Sequence, residues 1–208
     1  LSHKNIKINL LKSSINWKLR TFLSLLQSFR TYLKILLNSL NNNLIKNIHP
    51  NSIYISSVTD SLIESSLEGF TSINLIKKYI NEKTGIKHRI LIEPQKKKFN
   101  NSNFNEKGIF IDKPFESLKN RYLIIPITFW YLRAIIICLL DSIFLEGYRA
   151  FMLTESLKTK VYELNFKNNE LNYCFYSCSD WIYRPIWTYL AERNNSNIIF
   201  YFYSTNIF

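Results

Sequence analysis

ELNYCFYSCSDWIYRPIWTYLAERNNSNIIFYFYS, residues 170–204, decides the fold. Its first part, up to Cys178, is an apolar and aromatic run of the kind that forms a buried strand. A polar turn follows, and Pro185 suits the first position of a helix because its missing N–H costs nothing there. The helix is expected to run to about Glu192, RNNSN to turn the chain, and IIFYFYS, 198–204, to form a second strand. Strand, helix, strand is the unit from which parallel sheets are built.

Working outward, the same alternation recurs upstream. SIYIS (52–56) and IKHRILIEP (86–94) read as strands on either side of a helix over roughly 61–82, with Thr59 or Asp60 as its cap and Gly85 just beyond its end. GIFI, 108–111, is a further short strand, reached through the polar, basic loop QKKKFNNSNFNEKG. YLIIPITFWYLRAIIICLLDSIFLEGYRAF, 122–151, is the most apolar stretch, broken at Gly147, after which an amphipathic helix runs over 148–165. The expected class is therefore α/β: a Rossmann-like, doubly wound, mainly parallel sheet over 51–208, cut short at its C-terminus. Residues 1–50 form a separate basic amphipathic segment, with apolar positions at helical spacing from Leu10 to Leu40 and Lys12, Lys18, Arg20, Arg30 and Lys34 between them.

Composition narrows the function classes. With 208 residues, 47% of them hydrophobic, the chain has ample material for a core and is not disordered. Its formal charge of +12 attracts nucleic acid, anionic lipid or phosphorylated ligands. Heavy use of Asn, Lys, Ile, Phe and Tyr points to an AT-rich coding genome, which discounts part of that charge. The Lys and Arg residues are dispersed, and IIFYFYS carries none; an RNA-binding protein of a low-GC genome stays the alternative from charge and aromatics alone. Three cysteines, Cys138, Cys174 and Cys178, make no disulfide framework and, without a second pair or clustered His, no metal site. Neither a Gly-rich phosphate loop nor an Asp-x-Asp pair is found. A first residue other than Met, no signal pattern and an abrupt end read as a fragment cut at both ends.

The apolar stretch 122–140 raises the question of a membrane span. A span needs about 20 apolar residues. Arg133 stands in its middle, at about 2.5–3.5 kcal/mol on insertion scales, and Asp141 follows. A buried helix, or one touching the membrane interface, is the expectation; one span at 122–140 is the alternative. The basic helix of 10–47 can likewise lie on an anionic membrane or pack with a solvated basic face.

In open α/β sheets ligands sit beyond the carboxyl ends of the strands. Two such ends fall in the opening stretch. After the first come Ser179, Asp180, Tyr183 and Arg184, with Arg184 beside the amides of a helix start, an arrangement suited to an anion. After the second come Ser204, Thr205 and Asn206, whose hydroxyl and amide groups suit sugar hydroxyls. Each has a structural reading too: Asp180 as a helix cap, Arg184 as a partner of Asp180 or Glu192, Ser204–Asn206 as turn formers, and the nearby aromatics as core. Asp180 is the one candidate for a catalytic carboxylate here, with no metal ligand expected.

YRPIWTYLAERNNSNIIFYFYSTN, 183–206, resembles a segment of the form YRPLWTYEAE…G…I.FYFYSTN in bacterial surface-polysaccharide biosynthesis proteins, glycosyltransferases regarded as having the two-domain GT-B architecture. It departs at Ile186, at Leu190 and in an Asn-rich turn where a glycine is expected, and the resemblance covers about the last 30 residues. It implies an N-terminal, acceptor-side portion of a metal-independent glycosyltransferase with no tightly bound cofactor. It further implies a nucleotide-sugar donor held mainly by a second domain, a lipid-linked or saccharide acceptor, and a cytoplasmic or peripheral place at the inner face of the plasma membrane. No catalytic residue comes with the motif.

Overall fold

The computed structural model describes residues 10–41, 51–58, 63, 72–94, 109–111, 113–144, 147–166, 171–177 and 184–201. Eleven elements follow in order: α1 (Leu10–Leu40), β1 (Ser52–Val58), α2 (Ser72–Thr84), β2 (Arg89–Pro94), β3 (Ile109–Ile111), a 3-10 turn (Arg121–Leu123), α3 (Ile124–Phe144), α4 (Tyr148–Asn165), β4 (Leu171–Ser177), α5 (Ile186–Arg193) and β5 (Asn197–Tyr201). The basic segment is thus one continuous helix among the described residues. Helix α5 begins one residue later than its proline suggests: Pro185 is extended at ψ 141° and is the residue before the first turn.

The five strands form one sheet in the order β3-β2-β1-β4-β5, and every pairing is parallel. Register follows from side-chain alternation. Ile53 pairs with Ile90 and Tyr173, and together with Ile55, Ile92, Ile109 and Phe175 they face one side, covered by Ile73 and Ile80 of α2. Tyr54 pairs with Leu91 and Cys174, and with Tyr176 they face the other side, under Tyr162 and Phe166 at the end of α4 and Trp187 and Ala191 of α5. Helices on both faces explain why the strands read as unbroken apolar runs. The class is α/β, and the strand order reverses between β1 and β4.

Helix α4 serves two layers. Ala150, Leu153, Leu157 and Val161 recur at three- and four-residue spacing and turn away from the sheet toward Leu25, Tyr32 and Ile35 of α1 and Ile127, Tyr131 and Cys138 of α3. Polar groups inside this layer are matched: the Tyr32 hydroxyl donates to Thr128 at 3.0 Å, and Ser28 and Tyr131 share a bond of 3.1 Å. The two tyrosine rings stack at 4.2 Å. Between α3 and α4, Gly147 adopts φ 71°, and a Cβ there would stand 2.9 Å from Thr21 of α1. Only glycine turns the chain so close to a neighbouring helix.

One expectation is corrected here. Helix α3 is not a buried helix: Ile127, Tyr131, Cys138 and Asp141 are its buried residues, while Phe129, Leu132, Ile136 and Ile143 stay exposed. Helices α1 and α4 cover one side of it and leave the other open. Among the described residues it is the one helix long and apolar enough, by length and composition, to cross a membrane.

Candidate functional site at the carboxyl edge of the sheet

Leu91 and Glu93, two residues apart on β2, share the face that carries Tyr54. Ile55 pairs with Ile92 and Val58 with Pro94, so residues 56 and 57 of β1 stand against the single Glu93. Such irregularities re-aim side chains near the ends of strands and are rare in parallel pairs. At this one the Tyr54 hydroxyl donates to Oε2 of Glu93 at 2.5 Å.

Tyr54 is fixed by aromatic neighbours. Its ring meets Trp187 edge-on at 5.5 Å and Phe115 edge-on at 5.6 Å. Phe115 in turn packs against Trp187 at 5.1 Å and Tyr162 at 6.2 Å. Edge-to-face pairs of this kind add roughly 0.5–1.5 kcal/mol each beyond their area. The strut carrying Phe115 is held by Asn165, whose amide group donates to the carbonyls of Pro114 and Ser117 and accepts from the Lys119 N–H. Tyr54 has little freedom to leave its carboxylate.

The charged surroundings are mixed. Burial pushes the Glu93 carboxyl up from its ordinary value, and nearby Glu116 pushes it the same way. The Tyr54 bond, Lys158 and Lys113 pull it down, and the net shift is upward. Glu93 is half-buried as a residue, and the crowding of protein atoms around its carboxyl outweighs the hydrogen bond and the lysines. Glu116 is itself bound by Lys34 at 2.6 Å and approached by Lys113 at 3.9 Å, and Lys158 pairs with Glu155 at 3.0 Å. The result is a carboxyl group of raised basicity with two cations near it, at the edge where an α/β sheet binds its ligands.

Arg184 lies just before α5, as expected, and two of its nitrogens are bonded within the helix. Nε donates to the Thr188 hydroxyl at 2.8 Å, Nη2 to Glu192 at 2.7 Å, and the guanidinium lies 4.2 Å from the centre of the Tyr189 ring. Thr188 donates onward to the Pro185 carbonyl at 2.6 Å. Of the YRPxWTYxAE pattern, Arg184, Pro185, Trp187, Thr188, Tyr189, Ala191 and Glu192 all bear on how α5 is built and seated. Arg184 thus pins the helix through Nε and Nη2, as the pairing with Glu192 expected from the sequence requires. Ser179, Asp180, Tyr183, Ser204, Thr205 and Asn206 lie outside the described residues.

Glu93 is not among the candidates that the sequence suggested. The signal lay in ILIEP: an acid on the same face as Leu91, one residue before the proline that closes the strand. The candidates from the sequence all lie after β4 and β5.

At the opposite, amino edge, a polar pocket of about 340 Å³ is lined by Asn51, His88, Asn172 and Asn197. Asn172 donates to Asn51 at 2.9 Å and Asn197 to the Asn172 carbonyl at 3.3 Å, which ties the strand starts together. His88 places Nδ1 2.9 Å from the Ile86 carbonyl, and its buried Nε2 has no hydrogen-bond partner among the described residues. Among the described residues no group of three or more His, Cys, Asp or Glu is placed to hold a metal ion.

The fold and edge define an α/β protein with a five-stranded parallel sheet and a helical layer added to one side. Comparison with family models, curated proteins and solved structures finds no match.

Proposed function

We propose that the chain is the acceptor-side portion of a glycosyltransferase of surface-polysaccharide assembly, built on a Rossmann-like sheet in the order 3-2-1-4-5. The observation that supports it is the meeting of Glu93 and Tyr54 at the carboxyl edge, on a box that includes Trp187 of the resembling motif. Glu93 is the general base. Its carboxylate takes the proton of an acceptor hydroxyl as that oxygen bonds to the anomeric carbon of a nucleotide sugar. The sugar–phosphate C–O bond breaks, and its electron pair leaves with the nucleoside diphosphate.

Burial keeps the carboxylate basic enough to accept the proton, and Lys113 and Lys158 keep it ionised enough to begin. Tyr54 is a positioning residue, holding the oxygen that does not take the proton. Asp180 lies outside the described residues and has no part in this step. The donor is a nucleotide sugar and the acceptor a saccharide or lipid-linked saccharide.

The test is release of nucleoside diphosphate by the full-length gene product from a panel of nucleotide sugars. Glu93→Gln is expected to lower kcat by roughly 10²–10⁴-fold with KM little changed. Turnover by Glu93→Gln equal to that of the unaltered protein removes Glu93 from the chemistry. No release from any sugar nucleotide in the presence of membrane lipid extract overturns the reading.

A further inference from the structure

Nine large apolar side chains of α1 are exposed, and they are not scattered. Ile15, Phe22, Leu26, Phe29, Leu33 and Leu40 recur every three, four or seven residues, giving one stripe along the helix. A second line, with Leu25, Ser28, Tyr32, Ile35 and Ser39, is the seam packed on α3 and α4. Leu19, Leu23 and Leu37 widen the stripe on the side away from that seam, with Arg30 among them and Lys34 and Arg20 at the far margin. Helix α1 holds no Asp or Glu at all over its 31 residues. It is about 46 Å long at 1.5 Å per residue.

Helix α3 continues the apolar surface. Its open side carries Ile125, Phe129, Leu132, Ile136, Leu140 and Ile143, the last 70% exposed. Between α1 and the end of α3 a groove of about 750 Å³ opens, lined by Trp17, Phe22, Leu139 and Ile143 with the exposed Lys18 among them. An apolar face of this extent marks a binding surface.

We infer that the open faces of α1 and α3 seat the protein on an anionic bilayer, with both helices lying in the interface and neither crossing it. Charge complementarity selects the occupant. Lys18, Arg20, Arg30 and Arg133 make no ion pair among the described residues, and anionic headgroups supply their counter-charge. A second copy docking through the same face would set α1, all basic, against itself.

Packing selects lying over crossing. The inner side of α3, with Ile127, Tyr131 and Cys138, is buried on the layer of α1 and α4, and α4 is joined to the sheet through Tyr162 and Phe166. A span would strip that side from its partners. Arg133 sits mid-helix on the exposed side, where a flat helix lets its guanidinium snorkel to phosphate and a spanning one does not. The inference does not rest on the glycosyltransferase reading.

The experiment is flotation of the full chain with vesicles of phosphatidylcholine alone and of phosphatidylcholine with phosphatidylglycerol. Binding is expected to the anionic vesicles, to weaken at high salt, and to be released by carbonate. Arg20→Gln with Arg30→Gln should weaken it roughly fivefold per charge. Phe22→Asp and Phe129→Asp, both at exposed positions, should weaken it more than tenfold with the far-UV spectrum unchanged. Carbonate-resistant association means α3 crosses and overturns the inference. So does equal binding to neutral vesicles, or no vesicle binding at all, including the case of a stable dimer by light scattering.

Discussion

The hydroxyl of Tyr54 on β1 donates to Glu93 on β2 at 2.5 Å, across two strands that pair in parallel. Neither residue is remarkable in the sequence. Together they put a half-buried carboxylate, with its donor locked by Trp187 and Phe115, at the edge of the sheet.

The raised pKa of Glu93 has a sign in folding. A carboxyl whose pKa is higher folded than unfolded holds its proton more tightly in the native state. Its contribution to stability is complete below the unfolded pKa and is lost as pH rises through the folded one. Glu93→Gln carries no such loss, so its thermal midpoint should rise relative to the unaltered protein between pH 4 and pH 8. Paired denaturation curves across that range check it; a constant difference removes the linkage. Tyr54→Phe deletes the donor that pulls the carboxyl down and should steepen the same dependence.

Arg184 and Glu192 predict an asymmetric pair of substitutions. Glu192 is more than half exposed, so Glu192→Gln should cost no more than about 0.5 kcal/mol. Arg184→Ala loses the Thr188 bond and the packing on Tyr189 as well, and should cost about 1–2 kcal/mol. Urea titration separates the two, and equal costs would show that the ion pair alone matters.

Gly147→Ala tests the turn between α3 and α4. The left-handed backbone and the 2.9 Å approach to Thr21 together predict a loss of about 1–3 kcal/mol. Gly85, also left-handed, has open space where its Cβ would be, so Gly85→Ala should show the backbone cost without the crowding. Comparing the two midpoints isolates the contact with α1.

Cys174 is enclosed between Tyr54 and Ser196 on β4, and burial pushes its thiol up to about 12. A thiol so raised supplies almost no thiolate near neutral pH. Native alkylation at pH 8 followed by peptide mapping should leave Cys174 unmodified, and alkylation in guanidinium should label it. Fast native labelling would mean that β4 opens readily.

Trp187→Ala tests the aromatic box. Truncating a side chain 5% exposed among Tyr54, Phe115 and Tyr162 should cost about 3–5 kcal/mol. Near-UV circular dichroism with chemical denaturation reads both the loss of packing and the loss of stability.

Local periodicity in the sequence was enough to place strands at 52–56, 86–94, 108–111 and 170–178, each within three residues of the observed ends, with the breaks at Gly85 and Gly147 and the α/β class. These are set by neighbours within a few residues: alternation, apolar spacing, and glycines in left-handed turns. What the local pattern does not carry is which strand lies beside which. The order β3-β2-β1-β4-β5 comes from pairing across tens of residues, and with it the side on which each helix packs. Glu93 meets the Tyr54 hydroxyl only because β2 comes to lie beside β1, whereas the Arg184–Glu192 pair spans eight residues and was within reach of the sequence. The same holds for α3: its apolar residues were plain in the sequence, but tertiary packing left one whole side of them open, because α1 and α4 reach only the other.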